Sequence, residues 1–201
     1  MAIELADIIK LVKAQNENQL DLNGCGIDDD IIQEVVNAIN ENDNITALLL
    51  ADNVLTDAAI GSLNSLQRIT QLNVTHNDIS NAGALALIRN KQFTHLYLSK
   101  NTLIDNEIVP AILKEATQIV LNLAFTYITE DKLKLVKDHI DTNLKKFQEE
   151  RRQKAFDQLA KKSLSQEEKP NVVRFFTQST DTSDNSDSEK KIPPPSSYTG
   201  P

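Results

Sequence analysis

Short apolar runs of the form L-x-L return along the chain at nearly constant spacing. Their first leucines are Leu20, Leu48, Leu72, Leu96 and Leu121, which lie 28, 24, 24 and 25 residues apart. Side chains alternate between the two faces of a strand, so the two apolar residues of each run point the same way. The pattern predicts five short strands stacked into a parallel sheet, because no single repeat can bury that face alone. The full copies are LDLNGCGI (Leu20–Ile27), LLLADNVL (Leu48–Leu55), LNVTHNDI (Leu72–Ile79), LYLSKNTL (Leu96–Leu103) and LNLAFTYI (Leu121–Ile128).

One slot after each strand is an asparagine in the three middle copies. Asn53, Asn77 and Asn101 fill it there, whereas Cys25 and Thr126 fill it in the first and last copies. The backbone turns inward at this point and leaves polar groups that a side-chain amide can satisfy. We therefore predict a structural ladder of these five residues, in which the two end members have fewer neighbours to bond.

A helix is predicted after each turn, on the side of the sheet that the strand leucines face. Asp28, Thr56, Ser80 and Thr129 are the candidate N-cap residues. Pro110 lies inside the fourth helical run and is expected to delay or kink that helix. Apolar residues spaced i, i+3 and i+4 close the core from this side. They include Ile31, Ile32, Val35, Val36 and Ile39, and further along Ile108, Val109, Ile112 and Leu113.

Together with Ile45, Ile69 and Phe93, the three middle copies complete the pattern L-x-x-L-x-L-x-x-N/C-x-L. Over about residues 17–136 the chain resembles leucine-rich-repeat proteins, and the segment SNAGALALI is similar to the helical side of the ribonuclease-inhibitor-like kind. The resemblance implies an α/β solenoid of about five repeats, with a concave parallel β-sheet and a helical convex side. It also implies that the concave sheet binds proteins and that the chain has no catalytic activity.

Both ends of the repeats carry helical patterns that predict caps. Leu5, Ile8 and Val12 form one apolar stripe before the first repeat, and Val136 and Ile140 belong to another after the last. Beyond residue 148 the helical composition continues with few apolar residues, and we keep both a solvated extension and a partner-binding helix open. The predicted parts are an N-terminal capping helix (1–16), leucine-rich repeats (17–136), a C-terminal capping and extended helix (129–168) and a disordered tail (170–201).

The predicted tail is polar, small and proline-rich, so it cannot bury enough apolar surface to fold. Its one apolar cluster, VVRFF at residues 172–176, is either a short docking motif or a segment that packs back on the solenoid. The whole chain has 201 residues, of which 40% are hydrophobic, and this allows one core but hardly two.

Charge divides the chain and bears on the partner. Residues 1–128 contain 16 acidic and 7 basic residues, a net charge of −9, whereas residues 129–170 are near +2. An acidic solenoid repels phosphate backbones, so nucleic acid is not expected as a partner, and a basic protein is steered toward it. Alternatively, the acidity serves only to keep the chain in solution. Both interpretations stay open.

No feature predicts an enzyme, a cofactor or a metal. His76, His95 and His139 are too few and too poorly placed for a metal cluster, although His76 and His95 are expected to approach one another as contact residues. The five glycines form no phosphate loop, and Cys25 sits in a structural slot. One cysteine, no long apolar stretch and no signal-peptide pattern predict a cytoplasmic chain without a membrane partner, monomeric when free.

The side chains between and just after the strand leucines point out of the concave face. Leu49, Tyr97 and Phe125 are expected to be exposed there without a folding reason to be apolar, and aromatic residues commonly anchor protein interfaces. The predicted partner-binding residues are Leu49, Asp52, Asn73, His76, His95, Tyr97, Lys100, Asn122 and Phe125.

The sequence thus predicts a non-catalytic module that binds a protein partner, for example as an inhibitor that covers an enzyme's active site. The alternative is an adaptor that recruits a substrate to an enzyme complex such as a ubiquitin ligase. The tail, rich in Ser, Thr, Asp and Glu, also resembles that of leucine-rich-repeat virulence effectors that intracellular bacteria deliver by type IV secretion. That resemblance implies export into a host cell without a classical signal peptide. A plain solubilising tail has the same composition, so both stay open.

Overall fold

Strands and helices alternate along residues 4–167, the part of the chain that the computed structural model describes. The strands are β1 (Gln19–Asp21), β2 (Ala47–Leu49), β3 (Gln71–Asn73), β4 (His95–Tyr97) and β5 (Val120–Asn122). The α-helices are α1 (Leu5–Ala14), α2 (Ile32–Asn40), α3 (Ile60–Asn64), α4 (Asn81–Arg89), α5 (Val109–Glu115) and α6 (Glu130–Glu167). Single 3₁₀ turns, Asp57–Ala59 and Asn106–Ile108, lead into α3 and α5.

The residues up to 159 form one compact unit that contains all five strands. Of the second unit, which begins at residue 160, the structure describes the end of α6. The tail predicted for residues 170–201 lies outside the described residues, as does its apolar cluster at residues 172–176.

The strands form one parallel sheet in the order β1-β2-β3-β4-β5. Its register places Leu20, Leu48, Leu72, Leu96 and Leu121 side by side, which is the alignment that the repeat pattern predicts. The first four of these leucines have no exposed surface, and the helices pack over them. Burying one such side chain contributes about 1.5 to 3 kcal/mol. The predicted α/β repeat fold is therefore confirmed.

Asparagine amides join consecutive repeats on the inner side of the turns. The Asn77 amide nitrogen donates to the carbonyl of Val74 in its own repeat at 3.1 Å and to that of Leu50 in the preceding repeat at 3.0 Å. Its amide oxygen accepts the backbone N–H of Leu55, also in the preceding repeat, at 2.9 Å. One side chain thus satisfies three buried backbone groups of two repeats. Asn53 and Asn101 make the equivalent bonds.

Because each amide reaches toward the preceding repeat, the two exceptions have different causes. Cys25 belongs to the first strand repeat, so no earlier turn needs its side chain. Thr126 does follow another repeat, and its hydroxyl donates to the Leu123 carbonyl at 2.8 Å within its own repeat. The Thr126 side chain thus bonds fewer neighbours than the ladder asparagines do, and the fourth turn is left without an amide acceptor.

The fourth turn buries a different residue from the one that the sequence pattern predicts. In the other copies the residue two places after the ladder slot is buried, and in the fourth copy this residue is Leu103. The structure instead exposes 55% of Leu103 and buries Ile104 completely. The Ile104 N–H donates to the Asn101 carbonyl at 3.1 Å, since the Thr126 side chain offers it no amide oxygen. The extra residue accounts for the spacing of 25 between the last two strands.

A second set of side-chain bonds, the cap ladder, joins consecutive repeats where the helices begin. The Asp57 carboxylate accepts the Ser80 backbone N–H at 2.9 Å and also the Ser80 hydroxyl. In the next repeat the Asn81 amide donates to the Asp105 carboxylate at 2.7 Å and accepts the Asp105 N–H at 3.0 Å. A carboxylate thus faces a hydroxyl and an amide faces a carboxylate, so donors and acceptors match. The pairs Asp29–Thr56 and Asn106–Thr129 complete the ladder.

The Asp105 carboxylate gains two bonds at this position. It accepts the Asn81 amide and the backbone N–H of Glu107 at 2.9 Å. Both bonds favour the charged form, and together they lower the pKa of Asp105, the Asn81 bond contributing most.

The predicted helix starts are partly displaced. Ser80 caps α4 as predicted, but Thr56 caps a 3₁₀ turn and Asp28 precedes α2 by one turn. The 3₁₀ turn before α5 is capped by Asp105, which the sequence pattern does not single out. Pro110 lies in the first turn of α5, where its missing N–H is not needed, so it delays the helix without kinking it.

We expect Asn77→Ala to lower the free energy of unfolding by about 1 to 3 kcal/mol, because it leaves buried backbone groups of two repeats unpaired. Urea denaturation measures the change. The control is Asn37→Ala, since Asn37 is exposed on α2 and its side chain bonds the exposed Gln33. That change should stay within about 0.5 kcal/mol of the parent. Equal effects of the two substitutions would contradict the bridging role of the Asn77 amide.

We expect Gly83→Ala to destabilise the protein by about 1 to 2 kcal/mol, although alanine normally strengthens a helix by about 1 kcal/mol. A Cβ at Gly83 would lie 2.1 Å from Oδ1 of Asp57 and would displace that carboxylate from Ser80. Denaturation of the double variant Asp57→Ala/Gly83→Ala is the matched test. With Asp57 truncated, Gly83→Ala should be neutral or stabilising. An equal loss in both backgrounds would show that Asp57 is not the obstacle.

Candidate protein-binding surface

The open face is the side of the sheet away from the helices, and it carries one row of five side chains. Asp21 and Asn122 at the two ends of this row are exposed, whereas Leu49, Asn73 and Tyr97 between them are half-buried. Leu49 and Tyr97 are therefore less exposed than the sequence pattern predicts. Strands on both sides, about 4.8 Å away, shield the middle of the row. The open face consequently offers a shallow surface in which Tyr97 is the one aromatic side chain of the row.

The left-handed column comprises Asp52, His76, Lys100 and Phe125, one residue from each of four successive turns. Their φ angles are 56°, 55°, 58° and 60°, and Gly24 holds the same slot in the first turn with φ 63°. A non-glycine residue in this conformation costs about 1 to 2 kcal/mol. All four side chains of the column are exposed, so the strain supports no buried contact of theirs. Residues retained in strained, exposed positions are candidates for a binding role.

The two histidines of the predicted site have separate partners. His76 Nδ1 contacts the Asp52 carboxylate, its neighbour in the left-handed column, and both side chains are largely exposed. His95 is half-buried, and its Nδ1 lies 3.0 Å from the hydroxyl of Thr94. Among the described residues no hydrogen bond joins His76 to His95. The His76–Asp52 pair instead gives the column a polar end.

Metal-ligating side chains and one cysteine occur among the described residues. No group of three His, Cys, Asp or Glu side chains among them is arranged to hold a metal ion. Cys25 is buried, and burial together with the nearby charge of Asp21 raises the pKa of its thiol. A thiol that stays protonated is a poor nucleophile. Within residues 4–167 no helix has the length and apolar character needed to cross a membrane.

Three large apolar side chains, Leu103, Phe125 and Tyr127, are exposed on the fourth and fifth turns, and we call them the loop patch. Phe125 exposes 78% of its surface, Tyr127 exposes 70% and Leu103 exposes 55%. The two turns run side by side, and the Tyr127 N–H donates to the Ile104 carbonyl at 2.8 Å. Exposed apolar groups that cluster in this way mark binding surfaces, and aromatic side chains anchor them most strongly.

The sequence pattern predicts Phe125 as a site residue but not Leu103 or Tyr127. Tyr127 has a readable signal, since its slot in the other copies holds Gly26, Val54, Asp78 and Thr102 and is aromatic only here. The exposure of Leu103 has no local signal, because it depends on Thr126 in the following repeat.

Comparisons with known proteins agree with the repeat fold. A family model described as "Leucine Rich repeat" matches residues 66–87, and no curated protein matches. The actin-binding site 2 of leiomodin-1 superposes with a TM-score of 0.55 at 20% identity, covering 78% of this chain and 99% of that one. The tropomodulin C-terminal domain from Caenorhabditis elegans has a TM-score of 0.54 at 13% identity, covering 74% and 98%.

At such identities these similarities concern the fold. Together with the sheet register and the asparagine ladder, they show a solenoid fold of the leucine-rich-repeat type.

We expect Lys100→Gly to leave stability unchanged or to raise it by about 0.5 kcal/mol. Glycine removes the strain of the left-handed conformation but adds chain entropy to the unfolded state, and the two effects are of similar size. Gly24 shows that the slot accepts glycine. The control is Lys114→Gly, inside α5, which should cost about 1 kcal/mol. Thermal denaturation of both variants tests this, and a loss as large at Lys100 as at Lys114 would contradict it.

Proposed function

We propose that this chain is a non-catalytic module that binds a protein partner through the open face and the turns beside it. The observation that carries the proposal is the loop patch, where Phe125 and Tyr127 expose most of their surface beside the strained left-handed column. The N–H groups of Asp52, His76 and Lys100 in this column bond the next repeat, so the turn itself explains the backbone conformation. The exposed aromatic side chains have no such structural reason, and a partner that buries them when it binds explains them.

The dimensions of the sheet support a partner that extends beyond the strands. Five strands at about 4.8 Å span about 24 Å, and three residues per strand give about 10 Å of strand length, so the face measures roughly 240 Å². A stable interface needs about 800 Å² on each partner. The left-handed column and the loop patch lie next to the open face and supply the additional area. Tyr97 ends β4, the strand that leads into the turn of Lys100 and Leu103, and we propose it as the centre of the contact.

Charge supports a basic partner. Residues 1–128 carry a net charge of −9, and Asp21 and Asp52 are exposed at the end of the solenoid away from the loop patch. A protein with basic groups opposite these carboxylates and an apolar anchor opposite Phe125 would match the surface in both respects. Complementary charge of this kind raises the association rate more than the affinity.

The biological setting belongs to the same proposal. A module of this kind acts as an inhibitor when its partner is an enzyme whose active site it covers, and as an adaptor when the partner complex supplies catalysis. We further propose that the repeats are of the ribonuclease-inhibitor-like kind, which is supported by their helical side. We propose as well that the chain is a bacterial effector, which is supported by the composition of residues 170–201. Delivery into host cells that is unaffected by deleting residues 170–201 would argue against the effector role.

Actin is a second candidate partner, favoured by one observation. The solved structure that superposes over 78% of this chain carries the name of an actin-binding site. Co-sedimentation with actin filaments and a monomer-binding assay would test the idea directly. If neither form binds at concentrations up to about 100 μM, actin is excluded and the loop patch must serve another protein.

The partner is to be identified by affinity purification and mass spectrometry, and the variant Phe125→Gly then tests the surface. We expect its affinity for the purified partner to fall at least about tenfold, as for an aromatic anchor. The fold should persist, because the slot accepts glycine in the first turn. Calorimetry with Tyr97→Ala in parallel tests the open face.

Leu11→Ala is the control, since Leu11 is an exposed apolar residue on α1. Its affinity should remain within about twofold of the parent. Unchanged affinity in both Phe125→Gly and Tyr97→Ala would place the site elsewhere.

A further inference from the structure

The last strand has a free edge beside a groove. Val120, Asn122 and Ala124 bond the fourth repeat, as shown by the Val120 N–H to the Thr94 carbonyl at 2.8 Å and the Leu98 N–H to the Asn122 carbonyl at 2.8 Å. Backbone groups of a strand alternate in direction, so those of Leu121 and Leu123 point the other way. No strand follows β5 within the described residues. In the first four repeats the residue that corresponds to Leu123 donates its N–H to the next repeat.

The space beyond this edge is an apolar groove of about 480 Å³ between β5 and the first turns of α6. Leu121 and Leu123 form one wall, and Leu133, Ile140 and Leu144 on α6 belong to the other. Leu121 is half-buried, although the four leucines in register with it are completely buried. The groove thus lies beside backbone groups of Leu121 and Leu123 that pair with no other described strand. It also lies beside the last leucine of the buried row, Leu121, which is only half-buried.

We propose that this groove binds an extended segment of a partner protein, which adds a sixth, parallel strand beside β5. An extended backbone is the ligand that matches an alternating edge, since one peptide provides carbonyls for the N–H groups of Leu121 and Leu123 and an N–H for the Leu121 carbonyl. The parallel direction repeats the pairing that β4 makes with β5, where Leu96 lies beside Leu121.

The groove also defines the composition of the bound segment. Alternate side chains of an added strand point toward the core side, where they meet Leu121 and the apolar residues of α6. The intervening side chains point to the open face beside Asn122 and Tyr97, where polar groups are accommodated. Lys137 and Asp141 on α6 also line the groove and offer one charge of each sign. The ligand is therefore a segment of alternating apolar and polar residues.

A synthetic peptide tests the proposal on the full chain. The probe is the acetylated, amidated peptide THLYLSK, copied from residues 94–100, whose strand β4 follows β3 in the way in which the peptide would follow β5. We expect saturable binding below about 1 mM, with slowed hydrogen exchange of the Leu123 amide. N-methylation of the peptide tyrosine removes an N–H that faces β5 and should weaken binding at least about tenfold. N-methylation of the second peptide leucine removes an N–H that faces away and should change the affinity less than about twofold.

A pair of matched substitutions on α6 tests the other wall. Leu144→Glu should abolish peptide binding, whereas Leu135→Glu should leave it unchanged, because Leu135 is exposed on α6 and does not line the groove. Absent binding up to 1 mM, or equal effects of the two N-methyl groups or of the two glutamates, would overturn the proposal. Slow exchange of the Leu123 amide without peptide that becomes fast after deletion of residues 170–201 would also overturn it, because the tail would then be the occupant.

The groove borders the open face at Tyr97 but includes none of the three side chains of the loop patch, so Phe125→Gly separates the two proposals. Phe125→Gly should leave the affinity of the peptide within about twofold of the parent, while it weakens the partner complex. Failure of the peptide experiment therefore leaves the proposed function standing.

Discussion

The asparagine amide between consecutive repeats is the interaction on which the rest of this solenoid depends. Each strand has three residues, so the ladder bonds of the strands alone fix very little of the turn that follows. A side chain such as Asn77 closes that turn by bonding carbonyls of two repeats and an N–H of the earlier one. Leaving such buried groups unpaired costs about 1 to 3 kcal/mol each, which is large against a total stability of about 5 to 15 kcal/mol.

The cap ladder fixes the opposite end of each turn, and the two ladders together explain why exposed side chains have defined positions. The first four turns are held on the inside by an asparagine amide, and the helix starts are joined by matched pairs such as Asn81 and Asp105. The left-handed residue comes immediately before the ladder slot, and its N–H bonds the next repeat, as His76 bonds the Ser99 carbonyl at 2.9 Å. These bonds hold the residue in its strained conformation. Side chains on a backbone held in this way lose little further freedom on binding, and this preorganisation favours affinity.

The sequence was sufficient for features whose causes are local. Alternation of Leu72 and Val74 with polar residues predicts strand, face and register, and the structure confirms them. The features that sequence reasoning missed have distant causes. Leu103 and Ile104 exchange roles because of Thr126, one repeat later. The exposure of Leu49 depends on the strands beside it, which a pattern of single residues does not contain.

The two ends of the sheet are unequal, and this asymmetry locates the proposed functions. At the first edge Leu20 is completely buried and α1 supplies Ile8 and Val12 to the core, so the core is covered there. At the last edge the asparagine is missing, Leu121 is half-buried and α6 leaves a groove beside β5. A strand edge with apolar surroundings is a hazard for aggregation, and natural proteins usually cover it. The loop patch, the longer fourth turn and the free edge all occur where the ladder ends, so a partner that bound there would bury the surfaces that the solenoid leaves unfinished.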